Sequence, residues 1–113
     1  MARYRLSEPA KADIAALLIR SGELYGKESR IRYSACLTAA MRRIASDPQG
    51  HSTVDRAELL LGLRSFHIRH SRHESLKPPV INPVHVIYYF VADRGVVEVV
   101  RVLHDRMEPR DHL

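Results

Sequence analysis

The chain has 113 residues, a length that suits one domain built around one hydrophobic core. Its formal net charge of +5 favours an acidic partner, such as nucleic acid, an acidic protein or an anionic membrane surface. The single cysteine, Cys36, excludes an internal disulfide and a CxxC-type zinc site, and no apolar stretch has the length of a signal peptide or a membrane span. We therefore expect a cytoplasmic protein that is neither exported nor inserted into a membrane.

The first half of the chain predicts a short strand followed by two helices. Residues 3–6 carry an aromatic and are closed by Ser7 and Pro9, where serine can cap a helix and proline suits its first turn. Apolar residues then recur at spacings of three and four as far as Gly26, and a second such pattern runs to Pro48. The first stripe holds Ile14, Leu17, Leu18, Ser21, Leu24 and Tyr25, and the second holds Tyr33, Leu37, Ala40, Met41 and Ile44. Two helices joined by so few residues should form an antiparallel hairpin whose apolar stripe is mostly core.

The second half supplies a sheet for that hairpin to cover. Residues 63–69, 84–91 and 96–103 are rich in β-branched or aromatic residues and read as strands. Residues 93–95 form a tight connection, so the last two strands should be antiparallel neighbours. Residues 51–62 fit either a short helical turn or an extended lead into the next strand. The fold class predicted is α+β, with a two-helix hairpin packed on a twisted, mainly antiparallel four-stranded sheet.

Two segments lie outside these elements within a single domain of residues 1–113. Residues 70–83 hold three prolines and are long for a hairpin loop, so we expect a mobile surface excursion. Residues 104–113 form a C-terminal tail. The stretch 64–77 has the densest positive charge of the chain, with four lysines or arginines against one glutamate, and could follow a nucleic-acid backbone or receive an acidic peptide.

Several residues invite a chemical role but are better explained by packing or solvation. His67, His70 and His73 have ligand-type side chains, yet their spacing alternates faces on a strand, so we expect solvated histidines and no metal or cofactor. Adjacent aromatics in 88–90 must point to opposite faces, so at least one is core and they do not form a base-stacking platform. Cys36 lies among small residues, as a buried or half-buried space-filler does.

Four local patterns stand in order along nearly the whole chain. They are Tyr4–Ala10 with Asp13 and Ile14, Ile44–Pro48 with Gly50, Gly62–Phe66, and Glu98–Met107. Together with the order of strand, helix, helix and three strands, they resemble the ParE branch of the RelE/ParE superfamily of bacterial toxins. The resemblance implies a RelE/ParE-like fold and the toxin half of a type II toxin–antitoxin pair.

The resemblance also implies partners. A cognate ParD-like antitoxin would pair a DNA-binding ribbon-helix-helix region with a segment that wraps the toxin, giving a hetero-oligomer that reaches operator DNA only through the antitoxin. Toxins of the ParE branch inhibit DNA gyrase by protein–protein contact, without a cofactor or catalysis of their own. Two alternatives remain: a RelE-like ribosome-dependent mRNA endoribonuclease, and a degenerate toxin that acts only as an antitoxin-binding co-repressor.

The candidate contact residues come from the family-matching patterns and the basic stretch beside them. They are Arg64, Phe66, Arg69, Arg101, His104 and Arg106. Arg64 and Arg101 could converge on a phosphate or carboxylate, although each could instead pair with an acid and brace the sheet. A histidine followed closely by an arginine suits a general acid or base with a phosphate clamp, so an RNase would use Arg64, Arg101, His104 and Arg106. The segment 58–62 lacks the lysines of RelE ribonucleases, which favours the non-enzymatic hypothesis.

Overall fold

The computed structural model describes residues 3–113, so residues 1 and 2 of the predicted domain lie outside it. The main elements are β1 (Tyr4–Leu6), α1 (Glu8–Tyr25), α2 (Lys27–Ser46), β2 (Val54–Asp55), β3 (Arg64–His67), β4 (His85–Val91) and β5 (Val97–His104). Short 3-10 helices span Ile68–Glu74, Asp93–Gly95 and Pro109–Asp111. The strands form one sheet in the order β1-β5-β4-β3-β2, antiparallel except for the parallel pair β1 and β5.

The predicted α+β fold is confirmed, with one more strand than the four expected. The extra strand is β2, which lies in the ambiguous segment before β3 and pairs with it through two residues. The third strand is also shorter than predicted, because Ile68 begins a 3-10 helix instead of continuing the extended backbone. Such a two-residue edge strand has no periodicity that the sequence could reveal.

The helix hairpin forms where its signals predict. Ser7 accepts a hydrogen bond from the Ala10 backbone N–H at 3.1 Å and caps α1, with Pro9 in the first turn. The helix ends at Gly26, whose φ of 93° and ψ of 172° lie in a region that essentially only glycine occupies. Because α2 begins at the next residue, this one glycine reverses the chain.

The main core lies between the hairpin and one face of the sheet. Its buried members are Ala10, Tyr33, Cys36, Leu37, Ala40, Met41, Ile44, Phe66, Ile68, Ile87, Tyr89, Val97, Val99 and Val102. Most of the helical contribution comes from α2, since Leu17 and Leu18 of α1 are only half-buried and Leu24 is 55% exposed, contrary to the prediction that this stripe is mostly core. Cys36 has no exposed surface, which confirms the space-filling role, and burial raises the pKa of its thiol to about 11.

The opposite sheet face carries a second, smaller cluster. Leu63, Tyr88 and Leu103 are buried there. Tyr88 and Tyr89 therefore point to opposite faces, as the alternation of a strand requires. The segment between β2 and β3 covers part of this face, with Arg56 lying over the Tyr88 ring at 5.7 Å.

The excursion after β3 is anchored to α2 and to itself. Ile68 and Ser71 are buried beneath it, and Arg43 of α2 forms an ion pair with Glu74 at 2.5 Å. Arg72 closes the far end by donating to the backbone carbonyls of residues 80 and 81 at 2.9 and 3.1 Å. No helix in the described part of the chain is long and apolar enough to cross a membrane.

Candidate partner-binding surfaces

Arg64 and Phe66 lie on the helix-covered face of β3. Arg64 donates to the Thr53 hydroxyl at 2.8 Å and lies opposite Tyr89, while its Nε is buried without a protein partner. Tyr89 donates to the Pro48 carbonyl at 2.5 Å, so these side chains brace the loop between α2 and β2. Phe66 is 1% exposed and belongs to the core.

Arg101 is engaged by an acid on α1. Its Nε and Nη2 donate to the two carboxylate oxygens of Asp13 at 2.8 and 2.9 Å, and its Nη1 donates to the His112 carbonyl. The Asp13 carboxylate raises the pKa of Arg101 above its usual value. Asp13 also accepts the Val102 backbone N–H at 2.9 Å, on a part of the β5 edge that no strand pairs.

The structure does not bring Arg64 and Arg101 together. They belong to β3 and β5, and β4 lies between those strands. Neighbouring strands are spaced ~4.8 Å apart, so the two backbones are separated by roughly 10 Å. Each guanidinium also has a different internal partner, Thr53 for one and Asp13 for the other. The fold therefore does not place the two guanidinium groups where both could bind one phosphate.

His104 belongs to a buried polar chain that sequence reasoning missed. Tyr33 accepts the Val84 backbone N–H at 3.0 Å, and its hydroxyl lies 2.6 Å from Nδ1 of His85. The His85 ring meets the His104 ring edge-on, with centroids 5.6 Å apart. Burial, followed by the neighbouring His104, lowers the pKa of His85 to about 4, so His85 is neutral at pH 7. In the sequence this chain is indicated only by a single histidine, His85, at the start of the otherwise apolar strand β4.

The remaining predicted contacts are exposed cations at two places. Arg69 lies on the 3-10 helix after β3, and Arg106 follows β5, where its backbone N–H donates to Nδ1 of His104 at 3.1 Å. Nearby, His67 is bound to Asp105 at 2.9 Å, which lowers the pKa of that carboxyl. His70 packs against Phe66 with ring centroids 5.7 Å apart, and partial burial together with Arg69 and other nearby cations lowers its pKa.

A concave surface lies along the helix hairpin. This groove of about 840 Å³ is formed by the outer faces of α1 and α2 and by the excursion after β3, and we call it the hairpin groove. Its apolar lining includes Leu18, Ile19, Ile31, Ala35, Ala39 and Leu76, and its charged rim consists of Arg30, Arg42, Arg43, Lys77 and Glu74. Ile19 and Leu76 are 59% and 85% exposed, so the groove presents apolar surface to solvent. Of the cations in this groove only Lys77 belongs to the basic stretch 64–77 of the sequence, since Arg30, Arg42 and Arg43 lie on α2.

Comparison with known proteins identifies the class. The family model described as the ParE toxin of the type II toxin–antitoxin system parDE matches residues 4–109. Toxin ParE1 of Caulobacter vibrioides is 34% identical over 113 residues, covering 100% of this chain and 99% of the relative. The chain therefore belongs to the ParE family of toxins of type II toxin–antitoxin systems, as its sequence patterns indicated.

A solved structure shares the fold. The chromosomal ParDE toxin–antitoxin system from P. aeruginosa contains a chain that superposes with a TM-score of 0.66, covering 92% of this chain and 96% of that one. Its identity to this chain is 14%, so the similarity concerns the fold alone. It agrees with the arrangement of a helix hairpin on a mixed sheet.

Proposed function

We propose that this toxin acts in the cytoplasm by inhibiting DNA gyrase through protein–protein contact, without a catalytic step of its own. Family membership supports a toxin. The observation that favours protein contact over RNA cleavage is that two of the candidate arginines are already hydrogen-bonded within the fold. Arg64 and Arg101, which an RNase would need at the phosphate, have internal partners on different strands. The exposed cations Arg69 and Arg106 lie at two separate places, which suits protein contact better than a convergent catalytic set.

The contact surface that we propose for gyrase is the end of the sheet where β5 leaves it. There His104 is half-buried and Arg106 is exposed, and Met107 adds an apolar side chain that is 46% exposed. A cation beside an exposed apolar group is typical of interface anchors. Arg101 supports β5 through its bonds to Asp13, whereas Phe66 is core and Arg64 braces the loop between α2 and β2.

The hairpin groove is the surface that we propose for the antitoxin. An amphipathic helix binds by laying apolar anchors into a groove, and the exposed Ile19 and Leu76 offer them contacts. Four of the five charged residues on the rim are cations, so an acidic segment is favoured over a basic or neutral one. We expect a ParD-like antitoxin with such a segment, forming a hetero-oligomer that reaches operator DNA through the antitoxin alone.

Inhibition of gyrase by purified toxin tests the proposal directly. We expect the toxin to block plasmid supercoiling or to trap cleaved DNA with gyrase. Arg106→Glu should weaken either effect by about tenfold, because it places a like charge where a complementary one is needed. Arg94→Glu, on the exposed turn between β4 and β5, is the matched control and should leave inhibition unchanged.

Other outcomes point to the other two hypotheses. Growth arrest with neither gyrase effect would sink the proposal, and cut transcripts after induction would replace it with ribosome-dependent RNA cleavage. Undiminished growth of bacteria that express soluble toxin without antitoxin would leave only the co-repressor role.

A further inference from the structure

One guanidinium joins three parts of the chain that are distant in sequence. Arg101 binds Asp13 of α1 through two parallel hydrogen bonds of 2.8 and 2.9 Å and binds the His112 carbonyl through its third nitrogen. We call this arrangement the Asp13–Arg101 junction. The side chains of Asp13 and Arg101 are 15% and 23% exposed, so solvent competes weakly for their hydrogen bonds.

The strand is irregular at this position. Tyr88 of β4 pairs with Arg101, but the next residue, Tyr89, pairs with Val99, so Val100 is an extra residue in β5. A bulge of this kind re-aims the neighbouring side chain, and Arg101 reaches α1 beyond the sheet edge. The same edge is held by Ser7, whose hydroxyl donates to the Val100 carbonyl at 2.9 Å. The junction is therefore seated on a firmly held part of α1 and β5.

The C-terminal segment, which we define as residues 108–113, depends on this junction for its position. The chain just before it is held independently, because the Asp105 N–H donates to the Val84 carbonyl at 2.7 Å and the Asp105 carboxylate binds His67 at 2.9 Å. Within the segment the hydrogen bonds are local: the Pro109–Asp111 turn is closed by bonds within residues 108–112. Among the hydrogen bonds of the described residues, the one from Arg101 to the His112 carbonyl ties residues 108–113 to the rest of the fold. Without it the segment is attached only through residues 106 and 107, which follow the anchored Asp105.

Asp13 sets the direction of that bond. A planar guanidinium held at two nitrogens by one carboxylate has its third nitrogen fixed in space, which a lysine ammonium or an unpaired arginine would not. We propose that Asp13 is a positioning residue for target recognition: acting through Arg101, it fixes residues 108–113 beside the exposed Arg106 and Met107, so that this surface meets the target in one arrangement. The inference has two halves. The first is that Asp13 fixes the C-terminal segment in the free toxin; the second is that this position aids target recognition, and it rests on the proposed contact surface.

Hydrogen exchange of the full-length toxin tests the first half. In Asp13→Asn the amides of Asp111 and His112, both bonded within the segment, should exchange about tenfold faster than in the wild type. Glu98→Gln is the matched control, because Glu98 binds Arg5 at 2.5 and 2.8 Å across β1 and β5 without touching the segment. It should leave both amides unchanged. Equal protection in Asp13→Asn and the wild type overturns the inference.

Activity tests the second half. Asp13→Asn should raise the toxin concentration needed for half-inhibition of gyrase by about tenfold, while antitoxin affinity stays within about twofold of wild type. Deletion of His112 and Leu113 should have the same two effects with the Asp13–Arg101 pair intact, which covers the case of a poorly folded Asp13 variant. Inhibition that is unchanged despite a mobile segment overturns the inference.

A purely structural brace gives a different pattern, in which inhibition and antitoxin binding fall together for Asp13→Asn and the deletion leaves both intact. That pattern also overturns the inference. If the wild type does not inhibit gyrase at all, the proposed target is wrong, and growth arrest by equally expressed variants then replaces gyrase as the readout. Positioning is supported there if Asp13→Asn and the deletion are less toxic than Glu98→Gln, and it is refuted if all are equally toxic.

Discussion

Tyr33 and His85 form a part-buried polar link at the edge of the apolar core. The Tyr33 hydroxyl accepts from Val84 N–H, so its single proton is available for Nδ1 of His85. A neutral imidazole with its own proton on Nε2 can accept that proton at Nδ1. The link joins α2 to the first residues of β4, where the chain returns from the excursion. The contribution of this link to the free energy of unfolding therefore depends on pH.

We predict that stability falls in mild acid because of His85. Its pKa is about 4 in the folded chain against 6.5 ordinarily, so below pH 6.5 the unfolded chain takes up a proton that the folded one refuses. The contribution is complete above pH 6.5 and is lost as the pH drops toward 4, amounting to at most about 3 kcal/mol. Urea unfolding at successive pH values measures it.

His85→Gln should flatten this dependence, because the glutamine oxygen can still accept from Tyr33 but does not titrate. His73→Gln removes an exposed histidine and should leave the slope as in the wild type. Asp105 also loses a stabilising interaction in stronger acid, in all three proteins alike. Parallel curves for the wild type and His85→Gln would contradict the assignment.

At the scale of elements, single residues hold one point of the hairpin and one point of the excursion. Gly26 alone turns the chain from α1 into α2, and its N–H still donates to the Gly22 carbonyl at 2.9 Å. In the excursion, Arg72 holds residues 80 and 81 by their carbonyls. Each is a point where one substitution tests one element.

We predict that Gly26→Ala destabilises the protein by about 1–3 kcal/mol, since an L-residue is strained at this φ and ψ. The space around Gly26 is open, so any loss reflects backbone strain and not a clash. Gly22→Ala, inside α1, gains helix propensity of about 0.5–1 kcal/mol and meets only the flexible Arg30 side chain at 3.4 Å. Thermal unfolding should rank Gly22→Ala at or above the wild type and Gly26→Ala below it; the reverse order would refute this account.

We predict that Arg72→Met loosens the excursion more than the fold. The substitution keeps the apolar stem but removes the donor to two carbonyls, of which the one at Ile81 becomes free to bind water. Cleavage by protease within residues 75–83 should accelerate about tenfold while global stability falls by no more than about 2 kcal/mol. Arg69→Met, at the exposed start of the same helix, is the control. Equal cleavage of both variants would show that Arg72 does not anchor the loop.

At the scale of the whole molecule, the arginines occupy different structural settings. Some arginines bind carboxylates within the fold, including Arg5, Arg43, Arg56 and Arg101. Others line the hairpin groove, among them Arg30 and Arg42, while Arg106 is exposed beside the end of β5. The groove and the C-terminal segment share no residue, so the proposed antitoxin and target surfaces can be altered separately.

We predict that reversing the groove charge weakens antitoxin binding and spares target inhibition. Arg42→Glu and Lys77→Glu should each lower the affinity for the proposed antitoxin by about tenfold at low salt, chiefly through slower association. Arg94→Glu has the same change of net charge outside the groove and should bind nearly as the wild type. Binding kinetics at two salt concentrations measure this, and an equal loss for Arg94→Glu would make the effect one of net charge alone.

The elements and the fold class were predictable because their signals are local. The Ser7 cap, the Gly26 turn and the strand patterns each act within a few residues, and the four family patterns gave their order. The internal partners of the candidate residues were not predictable. Asp13 and Arg101 are 88 positions apart, and Tyr33 and His85 are 52 apart, so only the packing of α1 and α2 on the sheet makes them neighbours.

The sequence by itself determined an α+β toxin of the ParE family and a short set of cationic candidates, because periodicity, capping and motif order are properties of the chain. Tertiary structure decided which of those cations are available. Burial beside an acid or a hydroxyl engages Arg101 and Arg64, while Arg69 and Arg106 stay in solvent. The difference arises because a guanidinium pairs with whatever oxygen the fold brings within hydrogen-bond distance, and that distance is set by helix and sheet packing, not by the residue's place in the sequence.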